Sequence, residues 1–130
     1  MKILVGYSGT DVSNTALALA RDHAKAFNAK VMVMTSMEGG STERIKEIDR
    51  IESRLNSAKK FVKEAGVECE THQLVRGMSP GEDIVKFAQD NEVDLIYVGV
   101  KKKSRAQKII LGSTAQFIIL RAPCPVITVK

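Results

Sequence analysis

The sequence predicts an α/β fold: an open parallel sheet of five strands with helices on both faces. Three observations carry that expectation. Short apolar runs, rich in β-branched residues and with little polar alternation, suit strands buried on both faces. Between them lie longer stretches whose apolar residues recur every three or four positions, the signature of helices with one buried stripe. The two types alternate strictly as βαβαβαβαβ, which argues for parallel strands joined by helical crossovers. A chain of 130 residues is expected to form one domain, residues 1–130, long enough to bury a real core.

The elements follow in order. Ile3-Leu4-Val5-Gly6-Tyr7 is the first strand, and Ser8-Gly9-Thr10-Asp11 is a turn offering several helix caps, Asp11 among them. A helix follows with Ala16, Leu17, Ala20, Ala24 and Phe27 on one face, ending at Asn28. Residues 30–36 form the second strand. A long helix then carries Ile45, Ile48, Ile51, Leu55, Ala58, Val62 and Ala65 on one stripe and stops at Gly66. Residues 67–75 mix apolar and polar side chains, as an edge strand does. Ser79-Pro80-Gly81-Glu82 predicts a helix start closed by a capping box, with Ile84, Val85 and Ala88 inward. Residues 94–99 are the fourth strand. The last helix is expected to bury Ala115, Ile118 and Ile119, and Pro125 opens a fifth strand, Val126 to Val129.

With strand order 3-2-1-4-5 the order reverses between strands 1 and 4, where ligands of open α/β sheets bind. The turn from Gly6 to Gly9 would then face the segment after Gly99. That segment is distinctive: between Gly99 and Gly112 lie five cations and no acid, and Gly112-Ser113-Thr114 precedes a helix. Free N–H groups and two hydroxyls at a helix start suit an anion, so the pattern points to a phosphate cradle. A solvated basic loop before an ordinary cap would give the same sequence.

Composition narrows the choices. From residue 101 onward there are seven cations and no acid, so the first hundred residues carry −2 of the net +5. The basic character is local, which favours a small anionic ligand over general nucleic-acid coating. The chain has no Trp to stack bases. No apolar run approaches a membrane span of about 18 residues, and the strand-like start does not resemble a signal peptide, so a cytoplasmic protein is expected. Cys69 and Cys124 read as reduced thiols in or near the core, and His23 and His72 are isolated, leaving no metal-ligand cluster. No Ser/His/Asp or Cys/His set can be placed at one crevice, so catalysis is not expected.

Three segments resemble the universal stress protein family. They are the opening KILVGYSGTDVSNTALALA, the stretch SPGEDIVKFAQDNEVDLIYVG, and the closing GSTAQFIILRAPCPVITV with its Ala-Pro-Cys-Pro-Val run. The resemblance covers essentially the whole chain. It implies a flavodoxin-like or adenine-nucleotide α-hydrolase-like sheet, usually as a homodimer. One branch of that family binds ATP through a G-x2-G-x9-G-[ST] pattern. Gly99, Gly112 and Ser113 fill three of its positions, while Lys102 replaces the middle glycine and Ser8 stands where many ATP-binding members carry aspartate.

Two readings stay open. In the first, an adenine nucleotide such as ATP, with or without magnesium, is a regulatory ligand. Gly6 and Ser8 would border the adenosine, and Gly99, Lys102, Gly112, Ser113 and Thr114 the phosphates. In the second, the protein is a dimeric interaction module that binds no nucleotide. A third resemblance, of Ser8-Gly9-Thr10-Asp11-Val12-Ser13 to the phosphate loop of ATP pyrophosphatases, lacks a glycine and displaces the aspartate. The final strand, an exposed apolar edge through Val126, Ile127 and Val129, is expected to pair with its own copy in a homodimer.

Overall fold

The strand that begins the chain ends up at the centre of the sheet. In the computed structural model β1 (Lys2–Gly6) lies between β2 (Lys30–Met37) and β4 (Leu95–Gly99). The flanking strands are β3 (Cys69–Val75) and β5 (Val126–Val129), and the order is 3-2-1-4-5 with every pairing parallel. The helices are α1 (Asp11–Phe27), α2 (Arg44–Lys63), α3 (Pro80–Asp90) and α4 (Ser113–Arg121). The structure describes residues 1–37, 44–100 and 111–130, with side chains in α2 from residue 46 onward.

Successive side chains on a strand point to opposite faces, so an unbroken apolar run feeds two cores. Ile3, Val5, Val31, Val33 and Tyr97 pack with Leu17, Ala20, Leu55 and Val62 of α1 and α2. Leu4, Met32, Met34, Ile96 and Val98 pack with Ile84, Phe87, Ala88 and Ile118 of α3 and α4. Each fully buried aliphatic side chain contributes about 1.5–3 kcal/mol, so both layers stabilise the sheet between them. The edge strand β3 is more polar: Glu70 pairs with Lys30 and His72, and the His72 ring lies 4.9 Å from that of Phe87.

Local signals explain most helix ends. Asn28 closes α1 in the left-handed region at φ 54°, and Gly66 follows α2 at φ 79°. The α1 cap is Thr10 rather than Asp11; its hydroxyl accepts from the Ser13 amide at 3.3 Å. The capping box expected at α3 is absent. Ser79 occupies the cap position but makes no side-chain bond, and the helix starts with Pro80 instead. Nor does α4 bury Ile119, which is 41% exposed while Ile118 is 1% exposed. A helix of nine residues presents a narrow strip to α3 and the sheet, and residue 119 is turned a hundred degrees off it. Among the described residues no helix is long and apolar enough to cross a membrane.

Candidate functional site

Where β1 and β4 end side by side, their continuations leave toward opposite faces, α1 to one and α4 to the other. Gly6 is in register with Val98, and one step on Gly99 pairs with Val129 of β5. A cavity of about 480 Å³ opens above this divide, within the range of small-molecule sites. Its wall comes from five places: the β1–α1 turn with the start of α1, the end of β2, the start of α3, the end of β4, and the start of α4.

The β1–α1 turn is rigidly tied. The Tyr7 amide donates to the Met34 carbonyl at 2.9 Å, extending the sheet by one residue. Thr35 Oγ1 donates to the Tyr7 carbonyl at 2.7 Å, and the Tyr7 hydroxyl donates to Asn14 Oδ1 at 2.6 Å. Burial pushes the Tyr7 phenol up, with the nearby Arg54 charge opposing, so Tyr7 is neutral and keeps its proton for Asn14. Ser8 and Thr10 hydroxyls lie 3.1 Å apart, and Ser13 Oγ donates to the Thr10 carbonyl at 2.9 Å.

The start of α4 is built differently. Gly112 is its cap, in extended backbone, and supplies no side chain to accept from the helix. The first intrahelical bond runs from the Gln116 amide to the Gly112 carbonyl at 3.0 Å. The amides of Ser113, Thr114 and Ala115 therefore have no partner within the helix. No acid occupies the first turn, so no charge within the helix offsets the positive end of its dipole, and Gly112, Thr114 and Ala115 at that end line the cavity.

The glycines differ in what requires them. A Cβ on Gly99 would lie 2.7 Å from the Val12 carbonyl carbon and 2.9 Å from the Ser13 amide nitrogen, so α1 rests directly on this residue. A Cβ on Gly6 would be 3.2 Å from Ile84 and 3.3 Å from Val98. At Gly112 no described atom comes within 4 Å of that position.

Five of the residues singled out from sequence line the cavity: Gly6, Ser8, Gly99, Gly112 and Thr114. Ser113 opens α4 but is exposed and not part of the wall. Lys102 lies outside the described residues. The sequence reading missed Thr35 and Ser36 of β2, and Pro80 and Ile84 of α3, which also line the cavity. Two hydroxyl residues ending an otherwise apolar strand are the signal that marks the β2 contribution.

The universal stress protein family model matches residues 1–130. The chain belongs to the universal stress protein family. A universal stress protein of Methanocaldococcus jannaschii is 35% identical, the match covering 99% of this chain and 81% of the relative. The structure of a universal stress protein from Archaeoglobus fulgidus superposes with a TM-score of 0.88 at 34% identity, covering 100% of this chain and 93% of the other. A second structure from the same organism is a universal stress protein in complex with dAMP. It has a TM-score of 0.80 and 30% identity, and the match covers 99% of this chain and 96% of that one.

Proposed function

We propose that this universal stress protein binds an adenine nucleotide, ATP or a relative of it, as a regulatory ligand of a stress response, with residues 1–130 acting as one domain. The observation that carries the reading is the start of α4: its first three amides have no partner within the helix, Gly112, Thr114 and Ala115 line the cavity, and no described atom crowds Gly112. Phosphate is the ligand such a terminus favours. The dAMP complex of a 30% identical relative supports a nucleotide of this class. In this reading Gly6 and Ser8 border the adenosine, Gly99, Gly112, Ser113 and Thr114 hold the phosphates, and Lys102 supplies them with a cation.

Isothermal titration calorimetry with AMP, ADP and ATP, with and without magnesium, tests it. Saturable heat with at least one nucleotide is expected. Absence of heat and of any thermal shift at millimolar nucleotide overturns the reading.

Lys102 and Ser8 favour a second reading, an interaction protein whose partner carries the function. If Ser8→Asp with Lys102→Gly creates ATP binding that the parent lacks, the second reading holds. Either reading accommodates a cytoplasmic homodimer through β5. That edge strand leaves Val126, Ile127 and Val129 only half buried, and open strand edges recruit further strands. Ile127→Lys should convert a dimer to monomer in light scattering, and a monomeric parent at tens of micromolar removes this interface.

A further inference from the structure

We propose that Ser36 sets the nucleobase preference of the crevice, because its only proton is held by Asp83 and it can offer a ligand nothing but an acceptor. The inference rests on the nucleotide reading above and names the chemistry of the base end of that site.

Asp83 lies in the first turn of α3 and is 0% exposed. Its Oδ1 takes the Arg76 guanidinium, with the Arg76 Nε at 2.7 Å, and its Oδ2 takes the Ser36 hydroxyl at 2.5 Å. A carboxylate held in an ion pair accepts only, so Ser36 is the donor in this bond. The guanidinium fixes one carboxylate oxygen and so aims the other at Ser36. Ser36 itself lines the cavity, and with its proton committed to Asp83 its oxygen has only acceptor capacity left. Thr35 beside it is committed in the same sense, donating to the Tyr7 carbonyl. Both hydroxyls at the end of β2 are thus spent as donors toward the protein.

Position decides what they read. The phosphates belong at the α4 terminus, above β4. The end of β2 lies across β1 from there, two strand spacings or roughly 10 Å away. The cavity wall at that end includes Met34 and Ile84, apolar surfaces suited to a flat base. An acceptor there favours the exocyclic amine of adenine and opposes the carbonyl that a 6-oxo purine carries at the same place.

The test compares AMP with IMP by calorimetry in the parent, in Ser36→Ala and in Asp83→Asn. The parent should prefer AMP by about tenfold, the worth of one well-made hydrogen bond. Ser36→Ala should bring the ratio within about threefold. Asp83→Asn can donate its amide to Ser36 and free the serine proton, so it should shift the preference toward IMP, a change that a merely structural role would not produce. If Asp83→Asn does not fold, Ser36→Ala decides alone. Equal binding of AMP and IMP by the parent, or an unchanged ratio in Ser36→Ala, overturns the inference and leaves the nucleotide reading standing. Binding of neither nucleotide overturns both.

Discussion

Gly99 and Gly112 hold two places in one sequence pattern, yet the molecule needs them for opposite reasons. At Gly99 the missing side chain is filled by protein: the backbone of Val12 and Ser13 sits where a Cβ would be. At Gly112 no described atom approaches the missing side chain, and the three amides that follow have no partner within the helix. The first glycine lets α1 settle onto the end of β4 and so builds the crevice. The second adds no side chain to the cavity wall at the start of α4. A glycine pattern that looks like one ligand motif is therefore half a packing requirement, and only its far end speaks directly about a ligand.

Substitution can break or sharpen that contrast. Gly99→Ala should have the largest effect on the fold. Its methyl meets backbone that cannot rotate away, so a loss of about 3 kcal/mol in urea unfolding, or failure to fold, is expected. Gly6→Ala should be intermediate, at about 1 kcal/mol, because its methyl meets the flexible ends of Ile84 and Val98 at 3.2 and 3.3 Å. Gly112→Val should cost the fold about 1 kcal/mol or less, the price of a poorer cap, while weakening nucleotide binding at least tenfold in calorimetry. Equal stability losses at residues 99 and 112 would erase the distinction. Smallest of all is Ser79→Ala. With no capping bond to lose, it should change stability by less than about 0.5 kcal/mol, against about 1 kcal/mol for a working cap such as Thr10→Ala.

The architecture was legible because the sheet is buried on both faces. Runs such as Ile3-Leu4-Val5 have no other economical fate, and the helical stripe from Ile51 to Val62 has one matching surface to cover. What escaped was decided by tertiary partners. Ile119 satisfies the helical period as well as Ile118, but only the latter faces α3 and the sheet. Ser79 has a capping residue's chemistry and makes no capping bond. For the site, the glycines and the α4 start could be read because backbone requirements are local. Ser36 could not: its meaning comes from Asp83, 47 positions away, and from Arg76 beyond it. Hydrogen-bond polarity inside a crevice is a property of packing, and no periodicity encodes it.

The most direct measurement follows backbone amides by NMR as AMP is added. The account predicts the largest shifts at Ser113, Thr114 and Ala115, with smaller ones at Gly6, Tyr7 and Ser36, and no change along the outer face of α2. Shifts gathered instead around Lys59, Lys60 and Lys63, or none at millimolar nucleotide, would contradict it.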